Sequence, residues 1–544
     1  MTKKERVYLY DSTLRDGAQT STVNFSVNDK KKIAHMLDNL GIDYVEGGWP
    51  GANPTDDEFF ENPPKFKNSN LTAFGMTRRP SSSVDNDPGL NALINSKAKS
   101  VCIVGKSWEF HLTHALNISS DENLKMIGES IAHIKKSKKE PIFDAEHFFD
   151  GFKASPEFAL EVIETAYKNG ARWVILCDTN GGTLPSEISK IVNEVVKIIP
   201  GENLGIHCHN DTGNAVANSI AAVESGVRQV QGTINGLGER CGNANLISII
   251  PTLILKMGFD VGISEDGLKN LTKTSHFLDD ILAKAKDRFA PYVGEFAFAH
   301  KGGLHVSAIA KNPKSYEHIE PELVGNNRKI MVSDQAGRSN IIARLKEIGL
   351  NENSSKEADG IKFSQISDLV NKVKDLEAKG YAYDGADASF ELLAKRMLSG
   401  VPNYFELISF RVLDERRINA VGDLELLAEA TIKIKVPNNS GQKDGEKVTM
   451  SVAEGNGPVN ALDKALRKAL SRKYPILENV FLSDYNVRIL TPSDGTEAVT
   501  RVQIESQDNN GNKWQTIGVS ANIVDASYRA LYDSITFKLM KEKV

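Results

Sequence analysis

Two short stretches combine residue types that can do chemistry with a spacing that would let them. The first is Asp11-Ser12-Thr13-Leu14-Arg15-Asp16-Gly17, directly after the apolar run Val7 to Tyr10. The run reads as a strand, so Arg15 and Asp16 stand side by side where it ends and Gly17 lets the chain turn. In a barrel of parallel strands that end is where an active site is built. Elsewhere the same pair is a salt bridge at a strand terminus. The second stretch is Leu204-Gly205-Ile206-His207-Cys208-His209-Asn210-Asp211. Side chains of a strand alternate between faces, so His207 and His209 project to one side and Cys208 to the other. Two imidazoles on one face suit a divalent cation such as Zn²⁺, Mn²⁺ or Co²⁺. Paired histidines also line ordinary cores.

Further residues fall near these two. The run Gly236-Leu237-Gly238-Glu239-Arg240-Cys241-Gly242-Asn243 permits close backbone approach and offers the Asn243 amide oxygen. It also reads as a tight turn into a helix. One carboxylate (Asp16), two imidazoles and one amide leave room for a bidentate substrate on an octahedral ion, as a Lewis acid requires. Arg15 beside such an ion suits a carboxylate or a polarised carbonyl. Glu146 and Thr179 close two more strand candidates on the same rim. His300 and His305 flank a Gly-Gly bend, and Tyr316 follows in a Lys-Ser-Tyr-Glu loop. A histidine on such a loop either reaches over the barrel mouth as an acid–base group or is simply exposed. His35, His111, His114, His133, His147, His276 and His318 show no convergent spacing and read as structural or exposed.

Positioning these groups falls to the first 250 residues or so, where short apolar runs alternate with amphipathic ones. Eight strand candidates occur: Val7–Asp11, Asp43–Gly47, Leu71–Met76, Ser100–Val104, Ile142–Glu146, Arg172–Asp178, Leu204–His209 and Gln229–Asn235. Helical patterns lie between them, among them Asn28–Leu40, with Asn28 as N-cap and Gly41 as stop, and Pro156–Asn169 before Gly170. A strand every thirty residues or so, about the length of a βα unit, predicts a closed (β/α)8 barrel. An open doubly wound sheet is the alternative, but no G-x-G-x-x-G follows the first strand.

Residues 260–400 read mostly as helix and loop. They include a polar connection at Glu352–Gly360 and a helix at Ser364–Lys379 before Gly380. From about residue 404 the pattern alternates. Thr431–Val436, a turn at Pro437–Gly441, Val448–Ala453 and a helix Val459–Ser471 are followed by Tyr485–Leu490, Ala498–Glu505, a hairpin turn at Asp508–Asn512, Trp514–Val519 and a helix from Asn522. Two strand–strand–helix units imply a duplicated α+β domain that binds or regulates. The expected division is a barrel (1–275), a helical linker region (276–403) and this C-terminal domain (404–544).

The 544 residues exceed what one core can serve. A formal charge of 66 − 71 = −5 gives no support for nucleic acid or an anionic membrane as partner. The four cysteines (Cys102, Cys177, Cys208, Cys241) form no C-x-x-C pair and read as reduced thiols of a cytoplasmic protein. Residues 1–6 lack a signal-peptide core, and no run of 18 apolar residues occurs, so neither export nor a membrane span is expected.

Together these motifs resemble the DRE-TIM metallolyases, in the branch of the 2-isopropylmalate, homocitrate and citramalate synthases. The resemblance is carried by Asp11–Gln19, His207–Gly213 with Ala217-Asn218, Gly236–Asn243 and Gly303–His305, in the family's order, and by the C-terminal double unit. Within the branch, Tyr44–Phe60 and Lys379–Phe390 are most similar to the members that make citramalate. The resemblance implies a TIM barrel, a helical linker that completes the active site, and a duplicated α+β regulatory domain. It implies that Asp16, His207, His209 and Asn243 bind a divalent cation (Mn²⁺, Zn²⁺, Co²⁺ or Mg²⁺), and that acetyl-CoA is a co-substrate. By the same resemblance Arg15 polarises the keto group of a 2-oxoacid, Thr179 contacts its carboxylate, Glu146 assists at the acetyl group, and His305 and Tyr316 of a partner copy take part in proton transfer. The expected reaction condenses acetyl-CoA with pyruvate to citramalate for isoleucine synthesis, in a homodimer inhibited by an amino acid, isoleucine. Two alternatives are the condensation with 3-methyl-2-oxobutanoate that yields 2-isopropylmalate, and a catalytically silent amino-acid sensor.

Overall fold

The computed structural model describes residues 4–332, 337–350, 363–418, 421–437 and 447–543. The polar connection expected at Glu352–Gly360, and the turn expected after Pro437, lie outside the described residues. The chain divides into two compact units, residues 1–298 with 318–328 and residues 299–317 with 329–544.

In the first unit eight parallel strands close a barrel: β1 (Tyr8–Asp11), β2 (Tyr44–Glu46), β3 (Asn70–Met76), β4 (Ser100–Lys106), β5 (Glu140–Glu146), β6 (Trp173–Asp178), β7 (Leu204–Cys208) and β8 (Gln229–Gly232). Each strand pairs with its neighbours in sequence, and β1 closes on β8 through Tyr8↔Gln229 to Asp11↔Gly232. The strands are buried on both faces, which is why they read as short apolar runs. Outward side chains such as Val45, Val101 and Ile206 join the helix-facing core. Inward ones form a separate cluster of Tyr10, Tyr44, Phe74, Cys102, Ile142, Trp173, Ile175 and Cys177. Polar atoms of this inner cluster are paired: the Trp173 indole N–H donates to Tyr44 Oη at 3.1 Å, and Tyr44 O–H to Glu140 Oε1 at 2.8 Å.

The helix expected at Asn28–Leu40 spans Val27–Leu40, and its N-cap is Ser26 rather than Asn28. Ser26 and Asp29 form a reciprocal capping box, which satisfies two backbone donors where a side chain at 28 would satisfy one. Gly41, at φ 100°, ends it as expected. Among the described residues no helix is long and apolar enough to cross a membrane.

The second unit holds helices Gly303–Lys311, Arg338–Glu347, Phe363–Ala378 and Asp387–Leu398, then two repeats of one pattern. Strands Glu406–Ile418, Leu424–Val436 and Lys447–Gly455 form an antiparallel sheet backed by helix Pro458–Leu470; strands Val480–Ile489, Thr500–Asp508 and Lys513–Ser520 form another backed by Ile523–Lys541. Each repeat is thus strand–strand–strand–helix; the second has the three strands read for it, and the first has one more than the two read for it. Strand Glu406–Ile418 escapes sequence reading because charged Asp414, Glu415, Arg416 and Arg417 break its alternation. Both repeats share one apolar core, with Ile432 and Leu466 from the first and Ile504 and Leu531 from the second.

Candidate active site

The C-terminal ends of the barrel strands surround a cavity of about 270 Å³ lined by Arg15, Asp16, Glu146, Thr179, His207 and His209. Local pairing explains how each arrives. Asp11 at the end of β1 accepts from the Thr13 amide and hydroxyl, both at 2.9 Å, and Thr13 Oγ1 accepts the Ile234 amide at 2.9 Å. The turn that presents Arg15 and Asp16 is thereby tied to the loop after β8. That loop doubles back on β7: the Ala244 amide donates to Cys208 O and the Asn210 amide to Gly242 O, both at 2.9 Å, which pairs His209 with Asn243. The fold of this loop packs Gly238 against the Asn243 amide, where a Cβ would lie 2.2 Å from Asn243 Nδ2.

His207 Nε2 lies 3.3 Å from His209 Nε2, and Asp16 Oδ2 lies 3.5 Å from the former and 4.0 Å from the latter. Among the described residues these three form the one group of His, Cys, Asp and Glu side chains close enough to hold a metal ion. All three are buried, yet Asp16 Oδ1 and the neighbouring Asn243 Oδ1 have no hydrogen-bond partner. Buried polar atoms left unpaired are costly, so their clustering fits a ligand that completes the set. Protonation fits too. Burial lowers the His207 pKa and, helped by the neighbouring imidazole, brings His209 to about 4, so both rings are neutral at pH 7 and keep a lone pair. Burial pushes the Asp16 carboxyl up, but the Arg15 guanidinium, joined by the two imidazoles where acid protonates them, outweighs it and holds it below the usual carboxylate range.

Arg15 is fixed on three sides. Its Nε donates to Glu46 Oε2 at 2.8 Å, its Nη1 lies 3.3 Å from Asp16 Oδ2, and its guanidinium sits 3.9 Å from the Phe74 ring centroid. Tyr10 O–H donates to the other Glu46 oxygen at 2.6 Å. Glu146 Oε2 contacts the Lys106 ammonium, and Thr179 Oγ1 accepts the His147 amide at 2.9 Å. Cys208 faces the helix-side core, away from the two histidines, as strand alternation requires.

His305 and Tyr316 belong to the second unit, where their rings stack with centroids 4.1 Å apart. His111 and His147, distant in sequence, meet edge to face at 4.5 Å. Residues to which the sequence reading gave no role in the site also line the cavity: Trp49, Lys106 and Asp144. Burial raises the Asp144 carboxyl to about 7. Behind it Gln231 donates to Asp144 Oδ1 at 3.2 Å and presents Oε1 to His207 Nδ1 at 3.0 Å. Strand period held the missing signal, since Asp144 stands two residues before Glu146 on the same face of β5.

A barrel with ligand-type residues at its C-terminal rim defines the class, and comparison with known proteins agrees. Residues 6–275 match the HMGL-like family, residues 292–380 the homocitrate synthase post-HMGL domain-like family, and residues 384–539 the LeuA allosteric (dimerisation) domain. The (R)-citramalate synthase of Aquifex aeolicus is 52% identical over 541 residues, 99% of both chains. That of Geobacter sulfurreducens is 49% identical over 99% of this chain and 98% of its own. The 2-isopropylmalate synthase of Methanocaldococcus jannaschii is 31% identical over 99% of this chain and 96% of its own. The chain belongs to the (R)-citramalate synthase family. Among solved structures, an HMG-CoA lyase from Brucella melitensis aligns over 52% of this chain and 100% of its own, at 19% identity and a TM-score of 0.45.

Proposed function

We propose that the chain is an acyltransferase that condenses acetyl-CoA with pyruvate and hydrolyses the thioester, giving citramalate and CoA for isoleucine synthesis. The observation that carries it is the buried group of Asp16, His207 and His209 beside Arg15, lining one cavity. The choice of pyruvate is supported by five (R)-citramalate synthases at 42–52% identity, against 28–31% for the 2-isopropylmalate synthases.

Asp16, His207, His209 and Asn243 would hold a divalent cation, which when bound supplies Lewis acidity toward the keto and carboxylate oxygens of the 2-oxoacid. Arg15, locked by Glu46 and Phe74, points its remaining donors at the keto oxygen and steadies the alkoxide that develops there. Thr179 takes the substrate carboxylate. Glu146 stands at the acetyl methyl, where a base must remove one proton before that carbon bonds to the keto carbon. Its contact with Lys106 holds the carboxylate in place for that proton. His305 and Tyr316, supplied by a partner copy, carry protons in the later steps. Water then cleaves the thioester and CoA leaves.

The labour divides along the chain into a catalytic barrel (1–275), a linker region (276–403) and a regulatory domain (404–544) that dimerises and binds isoleucine. Its sheets support a dimer, since Leu413, Leu424, Leu426, Met450, Phe481 and Ile489 are exposed on them. Such apolar stripes are what a second copy would cover. The test is to incubate the protein with acetyl-CoA, pyruvate and Mn²⁺ and follow free thiol and citramalate. Equal amounts of both are expected; thiol without citramalate would contradict the reaction.

A further inference from the structure

The segment Tyr44–Phe60, which sets the chain beside the citramalate-forming members, delivers one large side chain to the site. Trp49 lines the cavity that contains Asp16, His207 and His209. It also lines a neighbouring cavity of about 430 Å³ that runs past Met76, Arg78 and Met126. Trp49, Met76, Val104 and Lys106 are common to both linings, so these side chains form the partition between them. Trp49 is the largest. Its ring meets Phe74 edge to face at 5.5 Å, and Phe74 in turn carries the Arg15 guanidinium.

The backbone of Trp49 is held by a device with no surface role. Lys30 is 4% exposed and Asp56 6%. The Lys30 ammonium contacts Asp56 Oδ1 and donates to Gly47 O at 3.0 Å. Asp56 Oδ2 accepts the Trp49 amide at 2.9 Å and Asn53 Nδ2 at 3.0 Å, while the Asp56 amide donates to Asn53 Oδ1 at 2.9 Å. Gly48, at φ +139°, lies so close that a Cβ there would sit 2.5 Å from the Asp56 carboxyl carbon. Burying a lysine and an aspartate is expensive, and a pair retained in such a place is explained best by the geometry it fixes. What this pair fixes is the loop 47–56 and therefore the indole.

We propose that Trp49 is the wall that limits the length of the 2-oxoacid the cavity admits, and that Lys30 and Asp56 latch that wall in position. The inference rests on the reading of the site as one that joins acetyl-CoA to a 2-oxoacid. With the indole in place the cavity fits a short acid. Without it the space opens into the neighbouring cavity, which can take a branched side chain.

The experiment measures kcat/KM for pyruvate and for 3-methyl-2-oxobutanoate by thiol release, in the wild-type chain and in Trp49→Ala, Trp49→Phe and Lys30→Met. Trp49→Ala is expected to shift the ratio toward the longer acid by about tenfold or more, the size of effect that a few methylenes command in an apolar pocket. The shift should come mainly through KM, because contact with the acid's side chain is what changes. Trp49→Phe should stay near the wild-type ratio, and Lys30→Met should move it in the same direction as Trp49→Ala. A folded Trp49→Ala with the wild-type ratio overturns the proposal. Should that variant not fold, Trp49→Leu and Lys30→Met carry the test, and an unchanged ratio in both overturns it. The wild-type preference alone tests the underlying reading; the change in ratio tests the wall, whichever acid the wild type prefers.

Discussion

His207 Nε2 and His209 Nε2 stand 3.3 Å apart in a buried pocket, a separation at which two protonated imidazoles would repel strongly. Burial lowers the pKa of both, so the pair is neutral at pH 7, with Asp16 Oδ2 3.5 Å from the one Nε2 and 4.0 Å from the other. Such an arrangement suits a divalent cation, and the proposed reaction would use one.

Metal removal should therefore act on stability as well as on turnover. Dialysis against a chelator should abolish thiol release, and Mn²⁺ should restore it. Adding the ion at about 100 times its Kd should stabilise the fold by about 2.7 kcal/mol. Asp16→Ala should fold but lose both the turnover and the metal-induced rise in Tm, read by a thermal melt with and without ion. An unchanged rise would remove Asp16 from the ligand set.

Arg15 is set by Glu46, Asp16 and Phe74 at once, a planar requirement that an ammonium cannot meet. Arg15→Lys should keep the buried charge and the fold, yet lower kcat by about 10²–10³, the usual effect of losing one oxyanion donor. Steady-state kinetics with the preferred 2-oxoacid check it. A loss confined to KM would mean that Arg15 binds substrate without assisting the reaction.

Asp11 carries a pH signature. Burial raises its carboxyl to about 7 despite the Thr13 hydrogen bonds. Unfolded, the same group titrates near about 4. Between those values the folded chain binds the proton more tightly. This contribution to stability is therefore fully present below pH 4, falls as pH rises toward 7, and is flat above. Asp11→Asn mimics the protonated form and should flatten the stability curve in that window, measured as Tm against pH. A wild-type slope in the variant would assign the proton to another group.

The legible part of the chain was the part whose physics is local. All eight barrel strands appear in sequence because strands buried on both faces must be short and apolar. His207 and His209 could be placed together because a strand's period is two. Thr13 and Asn243 show what was hidden. The tie from Thr13 Oγ1 to the Ile234 amide, and the return of the loop after β8 onto β7, join residues more than 200 and about 35 positions apart, and no local pattern announces them. Nothing local marks Lys30 and Asp56 as buried either; their pairing depends on how the loop between β2 and the following helix closes over them. Strand Glu406–Ile418 was missed for a related reason, as it trades alternation for charge along its second half.

The duplicated C-terminal repeats should confer control. Isoleucine added to the full chain should lower its turnover in a saturable way, and leucine should not. Calorimetric titration of the same protein should show isoleucine binding. Leucine acting in place of isoleucine would favour the 2-isopropylmalate reading, since an end product restrains its own pathway.

The central claim is the identity of the 2-oxoacid, and one measurement reaches it directly: CoA release from acetyl-CoA by the wild-type chain with pyruvate and with 3-methyl-2-oxobutanoate, compared as kcat/KM at one metal concentration. We predict a preference for pyruvate of about tenfold or more, the range that one apolar pocket provides. A preference for 3-methyl-2-oxobutanoate would contradict the account.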